Sequence, residues 1–188
     1  MLKVLLISLL LVGCMSSGVW NTSYPPSPST SQESTGIAQD SRNTLQDLYA
    51  TNGTAASLAA RAKGILVFPN IVKLGFMVGA QYGSDGVLFE NNRDVGHYNI
   101  VAGSYGLQAG IQSFSYVMMF MDDESLNYFH QSEGLEIGVG PSVVVVDQGV
   151  ARSLTTTTAR KGVYAFIFDQ RGLMAGLGLQ GSKISRVP

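Results

Sequence analysis

Gly75-Phe76-Met77-Val78-Gly79-Ala80 is the stretch on which the fold turns. Its pattern is glycine, apolar, any residue, apolar, glycine, apolar. The pattern returns at Gly106-Leu107-Gln108-Ala109-Gly110-Ile111, at Gly134-Leu135-Glu136-Ile137-Gly138-Val139 and at Gly172-Leu173-Met174-Ala175-Gly176-Leu177. In a strand, alternate side chains go to opposite faces. One face therefore carries three apolar groups, and the other carries glycine, a variable residue, glycine. Interior glycine weakens a strand, so copies in this phase indicate a geometric need: close approach of another backbone, or a sharp bend. The expected fold is α+β and mostly β, a Gly-rich, strongly curved antiparallel sheet packed with N-terminal helices.

The helices are read just upstream. Leu45, Leu48 and Tyr49 lie at helical spacing between Asp40 and Ala50. Asn52 and Gly53 end that helix, and Thr54 is placed as the cap of a second one running through Ala62. After Gly64 the period changes to two. Ile65 to Phe68 reads as a strand stopped by Pro69 and Asn70. A longer echo joins the two ends of the domain: Ala60-Arg61-Ala62-Lys63-Gly64-Ile65 resembles Ala159-Arg160-Lys161-Gly162-Val163, which suggests two related β units.

Tyr98 to Met121 carries no formal charge and must be weighed as a membrane-spanning helix. Asn99, Gln108, Gln112, Ser113 and Ser115 interrupt it, and Gln112 to Met118 partly alternates polar with apolar. Two adjoining strands fit better.

The N-terminus reads as a targeting device. Lys3 precedes an apolar run from Val4 to Val12, broken only by Ser8 and too short to span a bilayer. The run ends in Leu11-Val12-Gly13-Cys14, which resembles a bacterial lipobox, and Cys14 is the chain's single cysteine. The reading is a signal peptide over 1–13 and a lipidated Cys14 carrying fatty-acyl chains such as palmitate. A Ser/Thr/Pro-rich tether follows over 14–39, and the folded domain occupies 40–188. Met15 follows the cysteine instead of the aspartate that resembles an inner-membrane retention signal. By that analogy the anchor sits in the outer membrane with the domain facing the periplasm.

Composition narrows the function classes. Of 188 residues, 45% are hydrophobic and 13% charged, so the chain buries a large core and is no self-repelling disordered polymer. A net charge of −1 argues against nucleic acid as a partner. One cysteine excludes a disulfide framework, and His97 and His130 leave little material for a metal centre. Gly176, Gly178 and Gly181 spell a dinucleotide fingerprint, but too few residues follow for the helix and the acidic group it needs. Asp122, Asp123 and Glu124 read as the cap and first turn of a short helix, with a metal site including His130 as the weaker alternative. No catalytic residue, cofactor or metal is assigned, and the chain reads as non-catalytic.

Charge distribution says more than net charge. Residues 84–149 hold nine acidic groups and one basic, whereas 150–188 hold six basic and one acidic. Residues 40–83 hold four basic and two acidic. The echoing ends are thus basic and the middle acidic. If the ends lie side by side, Arg61, Lys63, Arg160 and Lys161, with Lys73, offer a cationic surface to anionic lipid headgroups.

Lys63 to Gly83 (KGILVFPNIVKLGFMVGAQYG), Gly134 to Thr158 (GLEIGVGPSVVVVDQGVARSLTTTT) and Gly162 to Gly181 (GVYAFIFDQRGLMAGLGLQG) closely resemble the SYLF domain family. The resemblance covers about residues 40–188. The family includes bacterial lipoproteins and eukaryotic proteins, is associated with binding phosphoinositides and other lipids, and has fungal members that bind actin. It implies lipid binding without catalysis. In eukaryotic members the start of the domain contributes a basic amphipathic helix; the corresponding stretch here holds Arg42, Arg61 and Lys63. The alternative reading is a structural or interaction module of the envelope, docking a partner protein or a second copy through Gly-faced strands.

Overall fold

The computed structural model describes residues 30–132, 134–136, 142–146, 162–172 and 182–188. Two helices, α1 (Thr30–Thr51) and α2 (Gly53–Ala59), precede a long hairpin of β1 (Gly64–Glu90) and β2 (Arg93–Phe120). Then come α3 (Asp123–Gln131), β3 (Gly134–Glu136), β4 (Val143–Val145), β5 (Val163–Gly172) and β6 (Ser182–Arg186). The domain is mostly β, as the glycine pattern indicates. Helix α1 starts at Thr30, inside the stretch read as tether. Asn52, not Thr54, caps α2: its side chain accepts from the Ala55 N–H at 3.0 Å.

The sheet is organised on β2. Strand β1 pairs antiparallel along its whole length. On its other side β2 pairs with β6 over Tyr98–Ala102 and with β5 over Gln112–Phe120. Strand β3 adds to β6 in antiparallel sense, and β4 adds to β5 in parallel. Pro69 and Asn70 do not end a strand; they sit in a register shift between Phe68 and Ile71, and β1 continues. A bulge accommodates the missing proline N–H without loss of the ladder. The charge-free run is likewise one continuous strand instead of two. Among the described residues no helix is long and apolar enough to cross a membrane.

The hairpin turns at Asn91 and Asn92, both with positive φ (49° and 63°), between the paired residues Glu90 and Arg93. Two left-handed residues in a two-residue loop match the right-handed twist of the strands, and asparagine tolerates that conformation.

Each arm of the hairpin folds back on itself. A Cβ on Gly83 would lie 2.8 Å from Cγ1 of Ile71 and 2.9 Å from Cγ2 of Ile100. One on Gly86 would overlap the Phe68 ring. Residues 68 and 86, then 71 and 83, therefore face each other across the inside of a curl centred near position 77. The first two copies of the glycine pattern occupy this bend, with Gly75 opposite Gly110 and Phe76 opposite Ala109, and a register shift follows between Phe76 and Val78. The sheet is strongly curled, as expected, but the close approaches inside the curl fall on Gly83 and Gly86, outside the repeated pattern.

Burial follows from the curl. Leu66, Phe68, Ile71, Leu88, Tyr98, Ile100, Phe114, Tyr116, Met118 and Phe120 point inward and form one core. Phe129 of α3 plugs it, with its ring 4.8 Å from Tyr98 and 5.0 Å from Phe120. The alternate residues Val67, Val87, Phe89, Val117 and Met119 point outward and form a second core beneath Leu45, Leu48, Ala55 and Leu58 of the helices. Because both faces are covered there, Phe114 to Phe120 is a continuous buried run without clean alternation. Each of the three helix leucines contributes about 1.5–3 kcal/mol by leaving water.

Candidate functional site

An open cleft of about 630 Å³ lies between α1, α2 and the first strand. Its apolar wall is Leu45, Tyr49, Ala59, Ala62, Ile65 and Phe89, and its cations are Arg42 and Lys63. Arg42 is carried to the rim by α1 and fixed by the hairpin. Its guanidinium stands 4.8 Å from the Phe89 ring centre, and Nη1 donates to Oδ1 of Asn92 at 3.2 Å. These partners orient the charge without neutralising it. Half-buried Tyr49 has its hydroxyl pKa raised by desolvation, so it remains a neutral phenol.

Lys63 sits where the chain enters β1. Its N–H donates to the Phe120 carbonyl at 2.8 Å, while its side chain is half exposed. Nζ lies 3.4 Å from Oδ2 of Asp123, a solvated pair that contributes at most about 1 kcal/mol and can exchange for another anion. Arg61 turns its Nε back to the Ser57 carbonyl, at 3.5 Å.

The register brings the described ends of the two echoing segments, Gly64-Ile65 and Gly162-Val163, to one end of the sheet. Gly64 and Val163 are both partnered by Phe120, one on each side of β2. The Met121 N–H donates to the Gly162 carbonyl at 3.0 Å, just as Lys63 donates to Phe120. Cys14, Arg160 and Lys161 lie outside the described residues. Lys73 is fully buried on the inner face, across from Gln112, and does not line the cleft. Desolvation lowers its pKa.

The acidic cluster is structural. Asp122 caps α3, with Oδ1 accepting from the Ser125 N–H at 2.7 Å and Oδ2 from the Gly162 N–H. His130, at the far end of α3, pairs with Glu90 at 2.6 Å. Asp122 and His130 are eight positions apart along the helix, about 12 Å, so no shared site forms. Among the described residues no group of three or more His, Cys, Asp or Glu side chains converges on a metal position.

A family model described as "Ysc84: Las17-binding protein actin regulator" matches residues 101–187, which take in most of β2, α3 and every later strand. Over those residues the chain is similar to the SYLF domain family, in agreement with the resemblance read from the sequence. No curated protein matches it. The cleft cations Arg42 and Lys63 lie upstream of the matched residues, on the elements that the SYLF segment packs against. Arg42 was legible in the sequence only as one of three basic residues near the helices. Its neighbours Phe89 and Asn92 reach it through the hairpin turn, and no local pattern announces that.

Proposed function

We propose that the chain is a lipid-anchored envelope protein whose SYLF domain binds anionic lipids or lipid-like molecules, without catalysis. The binding site is the cleft between the helices and β1. The observation that supports this most directly is the cleft's composition: an apolar wall with Arg42 and Lys63 at the rim, Arg42 having no carboxylate partner among the described residues. An anionic amphiphile matches both parts, acyl chain to wall and headgroup to cations. On this reading the leader and Cys14 anchor the domain to the outer membrane, facing the periplasm.

Flotation of the chain lacking residues 1–14 with phosphatidylglycerol vesicles tests the reading. Wild type is expected to float and an Arg42→Glu, Lys63→Glu double variant to float markedly less; equal flotation of the two removes the site.

One observation favours the second reading, an interaction module. Among the described residues β1 pairs on one side only, over 27 residues, so its other edge offers backbone groups to a partner strand. A defined assembly in size-exclusion chromatography, without vesicle binding, supports that alternative.

A further inference from the structure

The charge-free run of β2 is only partly explained by burial. Its inward residues fill the core, but on the outer face of the bend Val101 is 55% exposed and Ile111 65%. Their cross-strand partners in β1 are also apolar and exposed: Tyr82 at 56% beside Val101, and Leu74 at 50% beside Ile111. Helices α1 and α2 cover the outer face near residues 67, 87, 117 and 119 and leave the bend bare. No Asp, Glu, Lys or Arg occurs from Leu74 to Ser84 or from Val95 to Met121. The bend is therefore an uncharged ridge with an aliphatic pair on one slope and a tyrosine–valine pair on the other. Lys183 lies beside Val101 in β6, with its side chain exposed.

We propose that this ridge enters the headgroup–acyl boundary of a phospholipid bilayer. The proposal rests on the anchored reading above and adds a second membrane contact, separate from the cleft. Three arguments commit it to a bilayer. Aliphatic groups with a tyrosine and a neighbouring lysine are the chemistry of the interfacial zone, where an amphipathic ring and a snorkelling amine are both accommodated. Cys14 and the start of α1 at Thr30 are joined by a segment reaching at most about 55 Å, so an anchored domain stays within touch of the membrane. The ridge is also convex and narrow, its two slopes being separated by about one inter-sheet spacing of 10 Å. A second copy meeting it crest to crest buries far less than the roughly 1,000 Å² a stable protein interface needs, whereas a fluid bilayer conforms to it.

The test places a single tryptophan on the ridge. The full chain carrying Trp20→Phe and Tyr82→Trp is reconstituted into phosphatidylethanolamine–phosphatidylglycerol vesicles with and without brominated acyl chains. Trp20→Phe with Leu74→Trp probes the other slope, and Trp20→Phe with Asn127→Trp, on the exposed face of α3, is the control. Blue-shifted emission at positions 82 and 74, quenched several-fold more by brominated lipid than at 127, is the expected result. Ile111→Glu should abolish that quenching at 74 with an unchanged melting curve. Emission at 82 and 74 that stays water-like, or quenching no greater than at 127, overturns the proposal. A blue shift that follows protein concentration and ignores brominated lipid also overturns it, and assigns the ridge to a second copy. Failure of the Arg42→Glu, Lys63→Glu flotation removes the cleft and leaves this readout intact.

Discussion

The side chain of Ile71 lies against the backbone of Gly83, on the same strand and twelve positions further along. The contact exists because β1 bends between them, and it leaves no room for a Cβ. Gly83→Ala overpacks this site and is expected to cost about 1–3 kcal/mol, or very roughly 2–10 °C in Tm. Gly103, with nothing within 4 Å of a built Cβ, is the control: Gly103→Ala should stay within about 0.5 kcal/mol of wild type. Ile71→Ala removes the offending Cγ1, so the Gly83→Ala, Ile71→Ala pair should be less destabilised than the sum of its parts. Additive losses in urea denaturation refute a shared contact.

Asp122 joins α3 to the start of β5 by accepting from two backbone N–H groups, on Ser125 and Gly162. Asp122→Ala loses a cap worth about 1 kcal/mol and strands the Gly162 donor for a further 1–3 kcal/mol. Asp122→Asn keeps one acceptor oxygen and should recover part of the loss. Equal destabilisation of the two variants contradicts this division of roles.

These two sites also show what was legible in the sequence. The glycine pattern indicated a bend, and Gly75 and Gly110 are paired there, whereas the glycines that steric contact requires, Gly83 and Gly86, lie outside the pattern. The Asp122 cap was readable because a cap is written locally. What escaped was long-range: that Pro69 is absorbed by a bulge, that Asn91-Asn92 closes one hairpin of two very long strands, and that Arg42 stacks on Phe89 across the chain. Those outcomes are set by pairing partners dozens of residues away. The charge-free run misled for a related reason. From Tyr116 to Phe120 its even and odd positions fill two different cores, so neither a helical nor a simple two-period signal survives there.

Tyr116 is fully buried, and its hydroxyl has no hydrogen-bond partner among the described residues. Burial raises its pKa above the ordinary value of 10.0, and burial raises those of Tyr98 and Tyr49 in the same direction. The folded state then holds protons that the unfolded chain releases, so the contribution of these tyrosines is constant below about pH 10 and stability falls through them as pH rises beyond it. Tyr116→Phe deletes an unsatisfied buried group and should be neutral or stabilising by up to about 1 kcal/mol at pH 7. It should also flatten the alkaline decline. Destabilisation by more than 1 kcal/mol in a thermal melt at neutral pH indicates a partner for the hydroxyl.

The cleft makes a prediction with opposed signs. Arg42 and Lys63 each contribute about 1 kcal/mol of attraction to an anionic surface, so removing either charge should weaken phosphatidylglycerol binding about fivefold. Asp123 competes for Lys63 at 3.4 Å, and Asp123→Asn should therefore tighten binding while leaving stability almost unchanged, since exposed pairs contribute little. Arg42→Lys keeps the charge but gives up the planar stack on Phe89, and should fall between wild type and Arg42→Ala. Raising ionic strength should compress all of these differences, because the rim charges are open to solvent and screened within about 10 Å at 0.1 M salt. A titration in which Asp123→Asn and Lys63→Ala shift affinity in the same direction means that Lys63 does not face the ligand, and the headgroup then rests on Arg42 alone.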